Sequence, residues 1–327
     1  MATAGTLTVP PSERHQNVGC STRWETAGVT YDDIAAIFLA PLAEPIPEPD
    51  VLPTPARRLR DALEPIATQG WWSRPAGEGL TALGVDFFPG YVFGRAAALG
   101  APTASVVAAT FGVFEPGMIT AAWEAGAASA SREDILRVRA SGAAASLDSI
   151  ADPDECAAVA DPLLRALDIL DGLGRPLFSG LRSLPLPSSP GGRLWRAAEL
   201  VREHRGDVHL AALVAAGLDA VEANVLTERW LGFELGEYSA TRGFGTDALN
   251  GGVSRLEGRG WMQGTELTDA GRAARVAIEA STDAGQQALV DACGGDLDRV
   301  IALAAEISTR LVEARAFPAD PRKRAGG

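Results

Sequence analysis

Lysine is almost missing from this chain: of its 29 basic residues, all but Lys323 are arginine. That lysine lies in a terminal Pro-Arg-Lys-Arg-Ala-Gly-Gly tail, so the body of the chain offers none for a Schiff base, a phosphate-binding loop or a lysine general base. Histidine and cysteine are equally scarce, at three residues each. Cys20, Cys156 and Cys293 stand far apart, are odd in number and form no CxxC pair. That pattern supplies no metal framework and fits a reducing compartment. The N-terminus lacks the basic flank and long apolar run of a secretory signal, and no stretch approaches the roughly 20 apolar residues that span a bilayer. A cytoplasmic protein with no membrane partner is expected. Excess positive charge is absent as well: a net charge of -13 and a pI near 4.8 oppose a generic attraction to nucleic acid, though a local basic face stays open.

What the chain does have is length and apolar mass. With 327 residues and 46% hydrophobic content it has room for two domains, each with its own core. Residues 1–55 read as a proline-rich extension. Its apolar patch, Ile34 to Ala40, precedes Pro41, Pro45, Pro47, Pro49, Pro53 and Pro55, and the patch docks on the body or on a second subunit. Residues 56–185 have helical periodicity. Ala56 to Thr68 puts Leu59, Ala62, Leu63 and Ile66 on one face and Arg57, Arg58, Arg60 and Asp61 on the other. Leu80 to Leu99 and Val106 to Trp123 follow, with breaks expected at Pro89-Gly90 and at Glu115-Pro116-Gly117. Ser131 and Asp152 open two further helices as N-caps, and Pro162 is a candidate break in the second. A linker, Pro185 to Gly192, leads into residues 193–315, and residues 316–327 form a flexible tail.

In the second half, helical segments Arg193–His204 and Val208–Leu218 flank the motif Arg202-Glu203-His204-Arg205-Gly206-Asp207-Val208-His209, which holds two of the three histidines. One reading is architectural: Gly206 is a left-handed helix cap and Asp207 the N-cap of the next helix. The other is chemical: the turn folds back so that His204, Asp207 and His209 converge as an acid-base group. On a continuous helix, residues i and i+5 lie about 140° apart, so convergence needs the break at Gly206. A zinc site would need further ligands that the sequence does not offer, and neither metal nor cofactor is implied. Thr246 to Arg259 reads as a short helix weakened by Gly251-Gly252, Gly260 to Leu267 as a hairpin, and Thr268 onward as a long helix. The overall fold expected is mainly α, a helical N-terminal domain and a winged-helix-like C-terminal domain with a small β-hairpin.

The string Arg255-Leu256-Glu257-Gly258-Arg259-Gly260-Trp261, followed by Leu267-Thr268-Asp269-Ala270-Gly271-Arg272, resembles the recognition helix, wing and next helix of MarR-type winged-helix proteins. Residues 56–315 more widely resemble a mostly uncharacterised group of actinobacterial helix-turn-helix proteins. The resemblance rests on Leu63-Glu64-Pro65-Ile66, Gly94-Arg95-Ala96-Ala97, Phe111-x-x-Phe114-x-Pro116 and, above all, the histidine motif running into Ala211 to Leu218. The chain departs from the group where Ala67 follows Ile66 and Trp71-Trp72 stands in place of a histidine and a tyrosine-phenylalanine pair.

Two functions of different class follow. Aromatic residues crowd between positions 71 and 123, with polar groups among them, as in a mainly apolar small-molecule pocket. Glu64, Trp71, Trp72, Tyr91, Arg95, Phe111 and Phe114 are its candidate lining, between the two halves. The protein would then bind an apolar ligand, or act as a cofactor-independent, non-redox acid-base enzyme of specialised metabolism. The alternative is a ligand-responsive DNA-binding regulator in which Arg242, Arg255 and Arg259 meet the duplex. By analogy with winged domains a homodimer is expected.

Overall fold

The computed structural model describes residues 29–326, and the expectations that fall on residues 1–28, His15 and Cys20 among them, lie outside it. The described residues are mainly helical, with one short antiparallel hairpin among them. The apolar patch in the extension does dock: α1 (Tyr31–Phe38) opens with a Thr30–Asp33 capping box and buries Tyr31, Ile34 and the following Leu39. After the proline-rich stretch, α2 (Pro55–Ala67), α3 (Gln69–Trp72), α4 (Arg74–Ala82) and α5 (Phe87–Ala96) pack in succession. Leu80 to Leu99 is therefore not one helix. It divides at Leu83–Asp86, and Pro89 is accommodated in the first turn of α5, where its missing N–H has no intrahelical partner to lose. The break at Glu115 separates α6 (Ala104–Phe111) from α7 (Pro116–Ser129), and the Glu115 carboxylate caps α7 through Gly117 and Met118.

Ser131 caps α8 (Arg132–Asp148), and Asp152 with Glu155 forms the capping box of α9 (Pro153–Asp168). Pro162 does not end α9. The helix runs through it, because Cys156, Val159, Ala160 and Leu163 hold both sides of the proline in the core. After α10 (Pro176–Arg182) comes the largest departure from expectation, α11 (Pro190–Ala215), a single helix of 26 residues that passes straight through Gly206. The left-handed glycine comes later, at Gly217 (φ +69°), just past the end of the helix. Asp207 is accordingly an interior residue of α11 and caps nothing on it.

A bend of 108° leads into α12 (Ala220–Trp230). Then come α13 (Thr246–Gly258), strands β1 (Met262–Gln263) and β2 (Glu266–Leu267), and α14 (Asp269–Ala284), capped by Thr268. Gly252 is a packing requirement here: a Cβ on it would lie 2.7 Å from Cγ1 of Val221, so the glycine lets α13 close on α12. Helices α15 (Gln287–Cys293), α16 (Leu297–Glu313) and α17 (Pro321–Gly326) complete the chain.

The main core crosses the boundary expected at residues 185–193. Leu59, Leu63 and Ile66 of α2 share one buried cluster with Trp195 and Leu200 of α11 and with Ile301, Ile307 and Leu311 of α16. A second cluster gathers the aromatics of α3, α5 and α6, and a third fills the space among α11, α12, α13, the hairpin and α14. The tail packs back as well, with Phe317 and Pro321 buried and α17 against α2. Among the described residues no single helix is long and apolar enough to cross a membrane.

Candidate functional site

Where the second half of the chain meets the first, two chambers lie side by side. The first encloses about 1020 Å³, its mouth included, and is bordered by Arg57, Arg60, Arg95, Arg202, Arg205, Arg242 and Arg275 together with Glu64, Asp207, His209 and Glu279. The second, about 810 Å³ on the same measure, is walled by Phe38, Trp71, Trp72, Phe87, Phe88 and Phe317 and reaches Lys323. Glu64, Tyr91, Phe114, Arg202, Tyr238 and Arg242 border both. The expected mainly apolar pocket is thus an aromatic chamber joined to an arginine-lined one.

The arginines are held by carboxylates from distant parts of the chain. Arg95 grips Glu203 in two parallel bonds, Nε to Oε1 at 2.8 Å and Nη2 to Oε2 at 2.7 Å, the geometry in which guanidinium–carboxylate pairs are strongest. Arg202 joins Glu203 at 3.1 Å to Glu64 at 3.1 Å. Burial alone would raise the Glu203 carboxyl, but Arg95 and Arg202 bring it down to about 2. Glu279 of α14 is the other hub. It meets Arg275 at 2.7 Å, Arg205 at 2.8 Å and Arg57 at 3.2 Å, and against the desolvation of its site they hold its carboxyl well below the usual range. Arg57 and Arg60 therefore do not form the solvent face expected from their helical spacing, and only 3% and 5% of their surface is exposed.

The histidine motif divides its residues between different environments, as a continuous helix requires. His204 does not border either chamber. It is buried edge-on against Phe178, with ring centroids 4.9 Å apart, and Gln286 Nε2 donates to its Nδ1 at 2.8 Å, leaving the ring proton on Nε2. Desolvation, with help from Arg175, lowers its pKa to about 4, so it is a neutral core histidine. His209 does border the first chamber. Its Nδ1 lies 3.0 Å from Thr282 Oγ1, whose own proton goes to the Ile278 carbonyl, so His209 carries its proton on Nδ1. Burial and Arg275 hold its pKa down to about 3. The three residues therefore do not converge as an acid-base group.

Asp207 is the member with usable proton chemistry. It borders the first chamber, accepts a hydrogen bond from the Phe178 N–H at 3.0 Å, and is pushed up to about 7, chiefly by desolvation and further by Glu203, against the pull of that bond and of Arg95. A carboxyl poised there exchanges a proton at neutral pH.

All seven residues expected to line a pocket, Glu64, Trp71, Trp72, Tyr91, Arg95, Phe111 and Phe114, border these chambers. Trp71 and Tyr91 meet edge to face at 5.2 Å, and Arg95 stacks 4.7 Å over Phe111. The three arginines assigned to DNA contact behave differently. Arg242 is not on an outer face but in the chamber wall, between the rings of Phe114 and Tyr238 at 4.6 and 4.5 Å. Arg255 pairs with Asp219 at 2.8 Å and Arg259 with Glu222 at 2.9 Å.

A family model for a helix-turn-helix family matches residues 56–318. The chain belongs to that helix-turn-helix family. No curated protein and no solved structure matches it. In this helix-turn-helix protein the matched region includes most of the lining of both chambers, leaving Phe38 on one side and Lys323, Ala325 and Gly326 on the other outside it.

Sequence reasoning missed Arg57, Arg60, Arg202, Arg205, Arg275, Tyr238, Glu279 and Lys323. One signal was available: Arg202, Glu203, Arg205, Asp207 and His209 put charge all around a stretch flanked by apolar helix, which a surface helix has no reason to do. Two further links tie the halves together at the site. Asn224 of α12 donates to the Val113 carbonyl at 2.7 Å, and the Glu115 N–H donates to the Arg242 carbonyl at 2.8 Å.

Proposed function

We propose that this helix-turn-helix protein binds a small molecule with an aromatic body in the paired chambers between its halves. The observation that carries the reading is the junction itself: an aromatic cavity opening onto a polar one, with side chains from α2, α5, α11, α12 and α14 converging on it. Ligand sites have this construction, apolar walls with a few fixed polar groups. Asp207 supplies an acid-base group at neutral pH in the first chamber, so proton transfer is the chemistry favoured for any part of the molecule that extends into it. His204 and His209 serve to pack and position α11.

A titration with the neutral fluorophore N-phenyl-1-naphthylamine tests this reading. Saturable binding near one per chain is expected, abolished by Thr241→Trp, which places an indole in the wall of the second chamber. Absence of saturable binding, or binding indifferent to that substitution, would overturn it.

A second reading, a DNA-binding regulator with a MarR-like wing, is favoured by the family assignment and by the α12–α13–hairpin order. Against it, the exposed residues of α13 include Asp247, Asn250, Ser254 and Glu257, and both of the exposed arginines expected to meet DNA are engaged by carboxylates. Specific DNA readers combine base-edge groups with several free phosphate-binding cations. Selection from a random duplex pool decides between them: enrichment of one sequence, bound more weakly as salt rises, would support the regulator.

A further inference from the structure

Two cations in the second chamber differ from the others that border the site. Each remaining arginine of the chamber walls has a carboxylate within 4.0 Å: Arg57, Arg205 and Arg275 at Glu279, Arg60 at Asp61, Arg95 and Arg202 at Glu203. Arg242 and Lys323 have none at that distance among the described residues. Arg242 donates one bond to the Tyr238 hydroxyl, and its Nε is buried with no acceptor. The Lys323 ammonium sits among aromatic rings, 5.0 Å from Phe233 and 5.5 Å from both Phe38 and Tyr238.

Both cations therefore lie near the Tyr238 ring, Arg242 at 4.5 Å and Lys323 at 5.5 Å from its centre. Burial and the nearby Arg242 lower the lysine to about 8, with Asp320 and Glu237 pulling the other way. Ring faces attract cations but accept no strong hydrogen bonds, so the donors of an ammonium and a guanidinium are left with capacity to spare. Beside them stand Trp71, Trp72, Phe87 and Phe88, the flat apolar walls of the same chamber.

We infer that the ligand of this chamber is an aromatic carboxylic acid, its ring held among Trp71, Trp72, Phe87 and Phe88 and its carboxylate between Arg242 and Lys323. A carboxylate supplies what this corner lacks: acceptor lone pairs for the guanidinium edge and for the ammonium, and a negative charge between two positive ones. The inference rests on the proposed small-molecule role and sharpens it from a shape to a chemical class. Lys323, the single lysine of the sequence, becomes half of the anion clamp.

The test compares 1-naphthoate with its neutral isostere 1-naphthamide by calorimetry on the full chain. Wild type is expected to bind the acid at least ten-fold tighter than the amide. Arg242→Gln and, independently, Lys323→Gln should each weaken the acid about ten-fold and leave the amide within two-fold, while Lys323→Arg retains acid binding and the surface variant Arg255→Gln changes neither. Equal affinity for acid and amide, or indifference of the acid to both substitutions, overturns the inference. If both probes bind equally and Thr241→Trp blocks both, the small-molecule role stands and the acid does not. If neither probe binds, both fall.

Discussion

Replacing Asp207 by asparagine should stabilise the protein at pH 8 and leave it unchanged at pH 4. The carboxyl is lifted from its ordinary 3.8 to about 7 because its surroundings desolvate it. Its folded pKa therefore lies above its unfolded one, and the native state keeps the proton longer than the unfolded chain does. The contribution of Asp207 to stability is complete below pH 4, declines as pH rises toward 7, and is flat beyond. A carboxyl moved that far costs about 4 kcal/mol once ionised. Local relaxation and water penetration on ionisation lessen that cost, so about 2 kcal/mol is the expected difference. Asparagine suits the test, since its Oδ1 still accepts from the Phe178 N–H and no charge forms at any pH. Urea unfolding of wild type and variant at pH 4, 6 and 8 gives the answer by subtraction, with the histidines and other acids common to both. A variant less stable than wild type at pH 8 would show that the carboxylate is ionised and held by Arg95, and would remove the acid-base role assigned to it.

The other predictions concern the walls of the site and the helices that carry it. Glu279→Gln leaves Arg57, Arg205 and Arg275 without their shared counter-charge and should cost about 3–5 kcal/mol, measured by denaturant unfolding; a loss under about 1 kcal/mol would mean that water already compensates those arginines. His204 is neutral in the fold because burial lowers it to about 4, so wild type loses stability as pH falls from 6.5 toward 4. His204→Gln should flatten that loss by about 2 kcal/mol between pH 6.5 and 4.5, and an unchanged slope would place the proton uptake elsewhere. Gly252→Ala drives a methyl group to 2.7 Å from Val221 and should destabilise by about 1–3 kcal/mol; thermal unfolding indistinguishable from wild type would show that α13 shifts freely on α12.

The parts of this fold legible in the sequence were those fixed by neighbours in the chain. Caps at Ser131 and Asp152 lie within three residues of the backbone groups they satisfy, and the hairpin between Gly260 and Leu267 closes locally. The aromatic lining was legible because its residues cluster between Trp71 and Phe114. The arginine chamber was not, because its order comes from pairs such as Arg57 with Glu279 that meet only after the chain has folded. Read locally, a buried arginine and a solvated one look the same. Gly206 misled for a related reason: glycine permits a cap but does not impose one. Trp195, Leu200 and Val201 on one side and Leu213 on the other are buried strongly enough to carry α11 straight through it.

That uninterrupted helix governs how the molecule can move. At about 1.5 Å per residue, the 26 residues of α11 form a rod of about 39 Å. Val201 is rooted in the main core, Asp207 and His209 border the arginine chamber, and Leu213 lies beneath α12 and α13. A rod embedded at both ends is an axle, with no joint along its length at which the halves could flex. The place left for articulation is the bend between Ala216 and Asp219, just beyond the chamber. Any turning of α12 about that bend has to break the Asn224 bond to the Val113 carbonyl, which ties it to the first half of the chain.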